Sequence, residues 1–304
     1  MTKKEKMADN SKNRAFLKLH LSVLVAGGTG LFGRLITLQE IPLVWYRLLL
    51  TTLLFIPILY FQKKLQLLPW NIAAKLMAVG CILGIHWVFF YASIQASNVS
   101  IGVISLALLG MFTAVIDPIV NHHKFYGKEF LLSTLALLGL LLIFHLDTRY
   151  RLGIILGAMA SLLASLFSIY SKKVMSVSPD IPTRSVVLYE MAGGLVCLSV
   201  VLPLAKLLNP ELNITPQVTD WIYLVVLALV CTIGQYLLQF AALKYVSPFT
   251  MNLTYNLEPI YSIILAMIIF NESRELNASF YMGLTLIIIS VIIQNLNQRH
   301  KIRQ

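Results

Sequence analysis

The sequence predicts an all-α, polytopic membrane protein of about ten transmembrane helices in two inverted five-helix repeats. Three observations predict it. Hydrophobic residues make up 58% of the 304-residue chain and charged residues only 12%, against roughly 45–50% and about 25% in soluble domains. Apolar segments of spanning length, about 20 residues, recur from one end to the other. Lys and Arg gather on alternate connections between them. A chain with a mean hydropathy of +0.79 cannot cover a water-facing surface with polar side chains, so lipid must cover it.

The spans are predicted at 17–34, 42–60, 72–93, 98–120, 130–146, 152–171, 185–206, 221–243, 248–270 and 278–296. The first follows a basic segment, as a signal peptide would, but Gly27, Gly28 and Gly30 interrupt it. It also ends at Arg34 without a small-x-small cleavage site, so it reads as a retained span. The second closes at Gln62-Lys63-Lys64, the third at a short turn near Ala96 and the fourth at His122-His123-Lys124. Asp147-Thr148-Arg149 closes the fifth, Ser178-Pro179-Asp180 the sixth and Asn209-Pro210-Glu211 the seventh. A short turn near Lys244 closes the eighth, and Asn271-Glu272-Ser273-Arg274 the ninth. The fifth and tenth are nearly uniform Leu and Ile, as expected of a lipid-facing periphery.

Basic residues orient the spans. With the N-terminus inside, the cytoplasmic segments hold 18 of the 24 Lys and Arg and the outer segments 5, Arg47 lying within a span. Both termini are therefore expected in the cytoplasm, with the chain in a plasma membrane of the bacterial inner-membrane kind. Topology accounts for the net charge of +11, and no nucleic-acid partner is expected. Ten spans with an odd number per half give halves of opposite orientation, divided as 1–148 and 149–304. Two echoes accompany this division: Tyr91-Ala92-Ser93-Ile94 with Phe240-Ala241-Ala242-Leu243, and Ile116-Asp117-Pro118-Ile119 with Leu257-Glu258-Pro259-Ile260. Inverted repeats of this kind place a substrate site where they meet.

Polar side chains within hydrocarbon are expensive and face partners or a water-filled cavity. In the ninth span, at about 100° per residue, only Phe249, Leu253, Leu257, Ile260 and Ile264 form an unbroken apolar stripe. Asn252, Tyr255, Asn256 and Glu258 lie off it. This helix is expected to show lipid a narrow face and to bury the rest. Glu258 lies about 15 Å into the span at 1.5 Å per residue, and Pro259 frees a carbonyl beside it. There a carboxyl group binds a cationic group, carries a proton or bonds a neighbour. Glu190 lies nearer the cytoplasmic end of the seventh span, where it reaches interfacial water or serves the cavity. Arg47, about five residues into the second span, snorkels, pairs with Glu40 or binds an anion. His86, Trp87 and Tyr91 occupy the outer half of the third span. Gln235, Tyr236 and Gln239 form a polar cluster in the eighth. Gly80-x-x-x-Gly84 and Gly153-x-x-x-Gly157, the latter continued by Ser161, Ser165 and Ser168, predict close helix contacts. Cys81, Cys197 and Cys231 read as small apolar residues.

In their order along the chain, several segments resemble the EamA family of the drug/metabolite transporter superfamily. They are Gly30-Leu31-Phe32-Gly33-Arg34, Val44-Trp45-Tyr46-Arg47, His86-Trp87 through Tyr91-Ala92, Ser247-Pro248, and Glu258-Pro259 with Asn271-Glu272. The resemblance covers essentially the whole chain. It departs at Gly110, which stands where the second half's register would put a proline. The resemblance implies export or exchange of amino acids and related metabolites through a central cavity lined by both halves.

No constellation for an intramembrane enzyme is present in the sequence, neither His-Glu-x-x-His nor a nucleophile–base pair, and no Gly-rich ATP loop. No enzymatic activity, metal or cofactor is expected. A non-transporting scaffold or regulatory protein is the competing class, against which the polarity of the ninth span speaks. The expected partners are the bilayer, a small-molecule substrate, a proton as coupling ion and a second copy of the chain. Reporter fusions after Arg149 and after Gln304 should report opposite sides of the membrane. Finding both on one side breaks the ten-span topology.

Overall fold

A computed structural model describes residues 3–97, 102, 105–106, 108–144, 151–258, 260–261 and 278–301. The protein is an all-α, polytopic membrane protein. In chain order the described helices are α1 (Lys3–Gly27), α2 (Thr29–Leu35), α3 (Glu40–Phe61), α4 (Trp70–Ala96), α5 (Leu108–Asn121), α6 (Gly127–Phe144) and α7 (Arg151–Val177). They continue with α8 (Thr183–Leu208), α9 (Val218–Ala228), a π-helical turn (Leu229–Gly234), α10 (Gln235–Leu243), α11 (Pro248–Tyr255) and α12 (Ala278–Lys301). Among the described residues, five helical stretches are long and apolar enough to cross a membrane: α3, α4, α7, α8 and the continuous run from α9 through α10. Large apolar side chains stand exposed along them, among them Leu53, Ile155, Val200 and Leu204, which is the surface a lipid phase would cover.

Described helical residues fall within each predicted span, and five of those spans are helices long and apolar enough to cross a membrane; three features differ from the expectation. The first is split at Gly28 into α1 and α2. The run Gly27-Gly28-Thr29-Gly30 contributes little helix propensity, so the helix breaks there. The eighth carries the π turn, held by Thr232 Oγ1 donating to Leu227 O at 2.8 Å. Of the ninth, only residues 248–258 and 260–261 are described; Pro259 and residues 262–277, with Ile264, Asn271 and Glu272, lie outside the described residues.

α4 is the central strut. It packs on α7 along one side and on α8 along another, and α3 lies against both α4 and α8. Glycines permit these contacts. A Cβ on Gly80 would lie 1.8 Å from Glu190 O, and one on Gly193 would lie 2.1 Å from Met77 O, so the α4 and α8 backbones touch. Gly153 and Gly157 admit Ser97 and Ser105 in the same way, and Ser93 Oγ donates to Gly153 O at 2.6 Å. Both Gly-x-x-x-Gly readings are thereby borne out. α3 and α8 run antiparallel. Trp45 Nε1 donates to Ser199 Oγ at 3.0 Å, Leu48 packs on Gly194, and Arg184 Nε donates to Lys64 O at 3.0 Å. α6 and α12 cross at Gly139 and Gly283.

At the start of α9, Asp220 closes a capping box with Gln217. Its carboxylate also accepts from Thr37 N at 3.0 Å and Thr37 Oγ1 at 2.7 Å, tying the α2–α3 connection to the second half. Phe32 and Tyr223 meet nearby with ring centroids 6.2 Å apart.

Gly80→Ala should force α4 from α8, because the new methyl meets backbone rather than a yielding side chain. Overpacking of this kind costs about 1–3 kcal/mol or more, read as a lowered melting temperature in detergent. Gly127→Ala, with nothing within 4 Å of the new carbon, is the comparison. Equal melting temperatures for Gly80→Ala and the unaltered protein would contradict the backbone contact.

Candidate functional site

A cavity lies among the helices, with about 670 Å³ of empty space counting the part open to solvent. Its wall is assembled from Ala26 of α1, Thr29 of α2, Arg47 of α3 and Leu83, His86, Trp87 and Phe90 of α4. Leu106, Leu109 of α5, and Ala164, Phe167 and Ser168 of α7 continue it. Gln235, Tyr236 and Gln239 of α10, Asn252 and Tyr255 of α11, and Glu258 complete it.

Arg47 is 1% exposed, so it neither snorkels nor pairs with Glu40. The reason is a set of neutral partners within reach. Its Nε donates to Thr232 Oγ1 at 2.8 Å, Nη1 to Tyr91 Oη at 3.2 Å and Nη2 to Cys231 O at 3.0 Å. Its Cζ sits 3.7 Å from the centroid of the Trp87 ring, a cation–π contact. A guanidinium carries five N–H donors, and the three bonds leave two of them, one on each Nη. Arg47 and Glu258 line the same cavity and interact electrostatically, but no ion pair joins them among the described residues.

Hydrogen bonds fix most other polar groups. His86 Nδ1 lies 2.8 Å from Ala160 O. A carbonyl only accepts, so Nδ1 carries the proton and Nε2 is the acceptor of the neutral ring. Gln235 Nε2 donates to Tyr255 Oη at 2.9 Å and to Gln239 Oε1 at 3.2 Å, and Tyr255 Oη donates to Gln239 Oε1 at 2.8 Å. This closed triangle holds α10 against α11. Asn252 Nδ2 spends both its protons, on Thr113 Oγ1 at 2.7 Å and Ser168 Oγ at 2.6 Å, and so ties α11 to α5 and α7. The apolar part of the wall is aromatic: Tyr236 meets Trp87 at 5.6 Å and Phe167 at 6.0 Å, both edge to face.

α11 starts as the sequence indicates, with Ser247 Oγ accepting Thr250 N at 3.1 Å and Pro248 in the first turn. It ends early, at Tyr255. Asn256, Leu257 and Ile260 donate three residues back, to Leu253, Thr254 and Leu257, because Pro259 has no N–H to continue the α pattern. The expected lipid-facing stripe is corrected: Phe249, Leu253, Leu257 and Ile260 are all buried. Leu253 packs on Gly110 of α5, whose missing side chain lets the two helices close.

Of the residues singled out from sequence, Arg47, His86, Trp87, Tyr236, Gln239, Asn252, Tyr255 and Glu258 come together in the wall. Tyr91 stands behind it and holds Arg47. Asn256 is buried with neither amide atom partnered and does not line the cavity, because the break after Tyr255 turns it away from the Asn252 face. Glu190 is fully buried on α8, so it does not reach interfacial water, and it lies outside the wall. Sequence reasoning left out Thr29, Phe90, Phe167 and Ser168. Thr29 lies among glycines that were read only as interrupting a span, Phe90 and Phe167 carry no polar signal, and Ser168 was read as the end of a packing stripe.

In a background lacking Cys81, Cys197 and Cys231, Ala164→Cys should react with a water-soluble thiol reagent. Ala160→Cys, one turn away and fully buried outside the wall, should stay at least tenfold slower. Comparable labelling of both would mean that the cavity is not where α7 places it.

Three comparisons bear on identity. No curated protein matches this sequence significantly. Twenty-seven chains of solved structures match the fold. One of them, described only as "Crystal structure of protein", superposes with a TM-score of 0.73 at 14% identity, over 95% of this chain and 99% of that one. At that identity the likeness concerns the fold alone. The profile of the EamA-like transporter family matches residues 13–145 and again 151–296, and the chain belongs to that family.

Proposed function

We infer that the protein is a secondary transporter, an exporter or exchanger, of small organic metabolites such as amino acids, working across the plasma membrane by alternating access. The chain then forms ten spans in two inverted five-helix repeats, 1–148 and 149–304, with both termini cytoplasmic. The double match of the family profile supports the division. The observation that carries the reading is the cavity, to which both halves contribute and which offers one cationic and one carboxyl side chain on separate helices.

That arrangement suits a zwitterion. A substrate carboxylate would take the two N–H groups that Arg47 leaves free, as a charge-assisted pair. A substrate ammonium would meet Glu258, with the Nε2 acceptor of His86 on the same wall. Trp87, Tyr236, Phe90 and Phe167 would cover an apolar side chain, and a largely apolar pocket with few polar anchors is the usual form of a small-molecule site. No Gly-rich phosphate loop is present in the sequence, so the drive would be a gradient. Alternating access would require the contacts between halves to exchange. The Asp220–Thr37 latch is such a contact, since its partners come from opposite halves.

Proteoliposomes loaded with an amino-acid mixture should show saturable efflux and counterflow; a flux no greater than in protein-free vesicles would favour the scaffold class. Glu258→Gln keeps shape and hydrogen bonding while removing ionisation. It should raise the half-saturation concentration roughly ten- to hundredfold, the equivalent of about 1.5–3 kcal/mol for a charged hydrogen bond. Unchanged half-saturation and rate would make Glu258 structural.

A further inference from the structure

The geometry points to a proton-binding site at Glu190 and Thr52, between α3 and α8 and outside the cavity wall, as the group that couples proton movement to transport. The coupling part rests on the transport reading above; the site itself does not. Glu190 is fully buried. Its Oε1 accepts from Ser171 Oγ at 2.9 Å, and its Oε2 has no partner. Thr52 Oγ1 is likewise buried without a partner.

The register of the two helices brings these groups to one level. α3 and α8 are antiparallel, with Trp45 bonded to Ser199, Leu48 packed on Gly194 and Arg184 bonded to Lys64 O. One helical turn from Leu48 is Thr52, and one turn in the opposite sense from Gly194 is Glu190. The two orphaned oxygens therefore belong to facing turns of one helix pair.

An ionised carboxylate here would need a counter-charge, because an isolated buried charge is far costlier than a neutral acid. Among the described residues the neighbouring helices offer none. Arg47 of α3 is committed to Tyr91, Thr232 and Cys231 O. On α4, Cys81 donates to Gly193 O and His86 is held by Ala160 O, while Lys75 is exposed. Lys172 of α7 donates to Leu243 O and Lys244 O. The ionisable neighbour on α10 is Tyr236, which interacts electrostatically with Glu190 and itself lines the cavity. A calcium or magnesium ion is a poor occupant: Glu190, Thr52 and Ser171 supply few oxygens, where these ions draw about six or more.

A proton solves the problem with atoms already present. Bonded to Oε2, it makes the neutral acid, leaves Oε1 to accept from Ser171, and gives Oε2 a donor to turn on Thr52 Oγ1. Its loss to water requires that the seam admit water. That seam adjoins a close backbone crossing, where the Glu190 backbone touches Gly80. Release of the proton and loosening of α8 are thus linked, and Tyr236 stands between this event and the substrate space.

Infrared difference spectra of the full protein in nanodiscs, taken through a pH titration, test the site without any substrate. The carboxylic-acid carbonyl band should lose one component in Glu190→Gln and keep that component in Glu258→Gln. Thr52→Val should retain the component at a shifted frequency. A band unaltered in Glu190→Gln overturns the assignment, and so does a band unmoved in Thr52→Val, which decides the matter if Glu190→Gln fails to fold. In vesicles loaded with an amino-acid mixture, Glu190→Gln should transport but lose its response to an imposed pH gradient; a wild-type response overturns the coupling. Failure of the unaltered protein to transport would sink the transport reading and, with it, the coupling, while the infrared result still decides the site.

Discussion

Burying the Arg47 guanidinium is the constraint around which the functional part of the fold is arranged. Removing such a cation from water costs several kcal/mol even after relaxation, and no carboxylate touches it among the described residues. The compensation is distributed. α4 supplies the Tyr91 hydroxyl and the Trp87 face, and the π turn supplies Thr232 Oγ1 and Cys231 O. One side chain from the first half thereby holds the second half's irregular turn against α4. The deviation from α geometry at 229–234 falls where Arg47 needs a carbonyl, and π turns of this kind concentrate at functional sites.

Around that centre the helices are joined by backbone proximity and hydroxyl bonds, as expected where lipid removes the hydrophobic drive between helices. Gly80, Gly193 and Gly194 bring α8 onto α4, and Gly153 and Gly157 bring α7 onto it. α4 is therefore fixed on two sides, and its cavity face, carrying His86, Trp87 and Phe90, is held in place. The opposite wall is built differently. α10 and α11 meet through the Gln235–Gln239–Tyr255 triangle, and the chain leaves α geometry directly afterwards at Asn256. A strut with close backbone contacts faces an interrupted helix across the cavity.

How far the site could be read from sequence depended on whether a residue's reason for being there was chemical or geometric. Arg47, Glu258, Asn252 and Gln239 announced themselves because a polar group in hydrocarbon needs an explanation wherever it points. Phe90 and Phe167 gave no such signal, since an aromatic ring in an apolar run is equally at home against lipid, core or substrate. Asn256 and Glu190 show the converse. Both are polar and buried, yet the break after Tyr255 turns one away from the cavity, and the α4–α8 crossing holds the other behind it.

The sequence by itself determined the membrane setting, the positions of the five long apolar helices and the faces on which they pack closely, because hydrocarbon exacts a large and local penalty for polarity and small residues mark where helices meet. Span periodicity assigned the apolar stripe of α11 to lipid, whereas packing on Gly110 buried it against protein. Tertiary structure alone decided the partners of Arg47, the π turn that receives it, the early end of α11 and the burial of Glu190 against α4. Each of these depends on which turns of distant helices lie level. That register is set by long-range packing between segments more than a hundred residues apart, as with Arg47 and Thr232, and one-dimensional periodicity does not encode it.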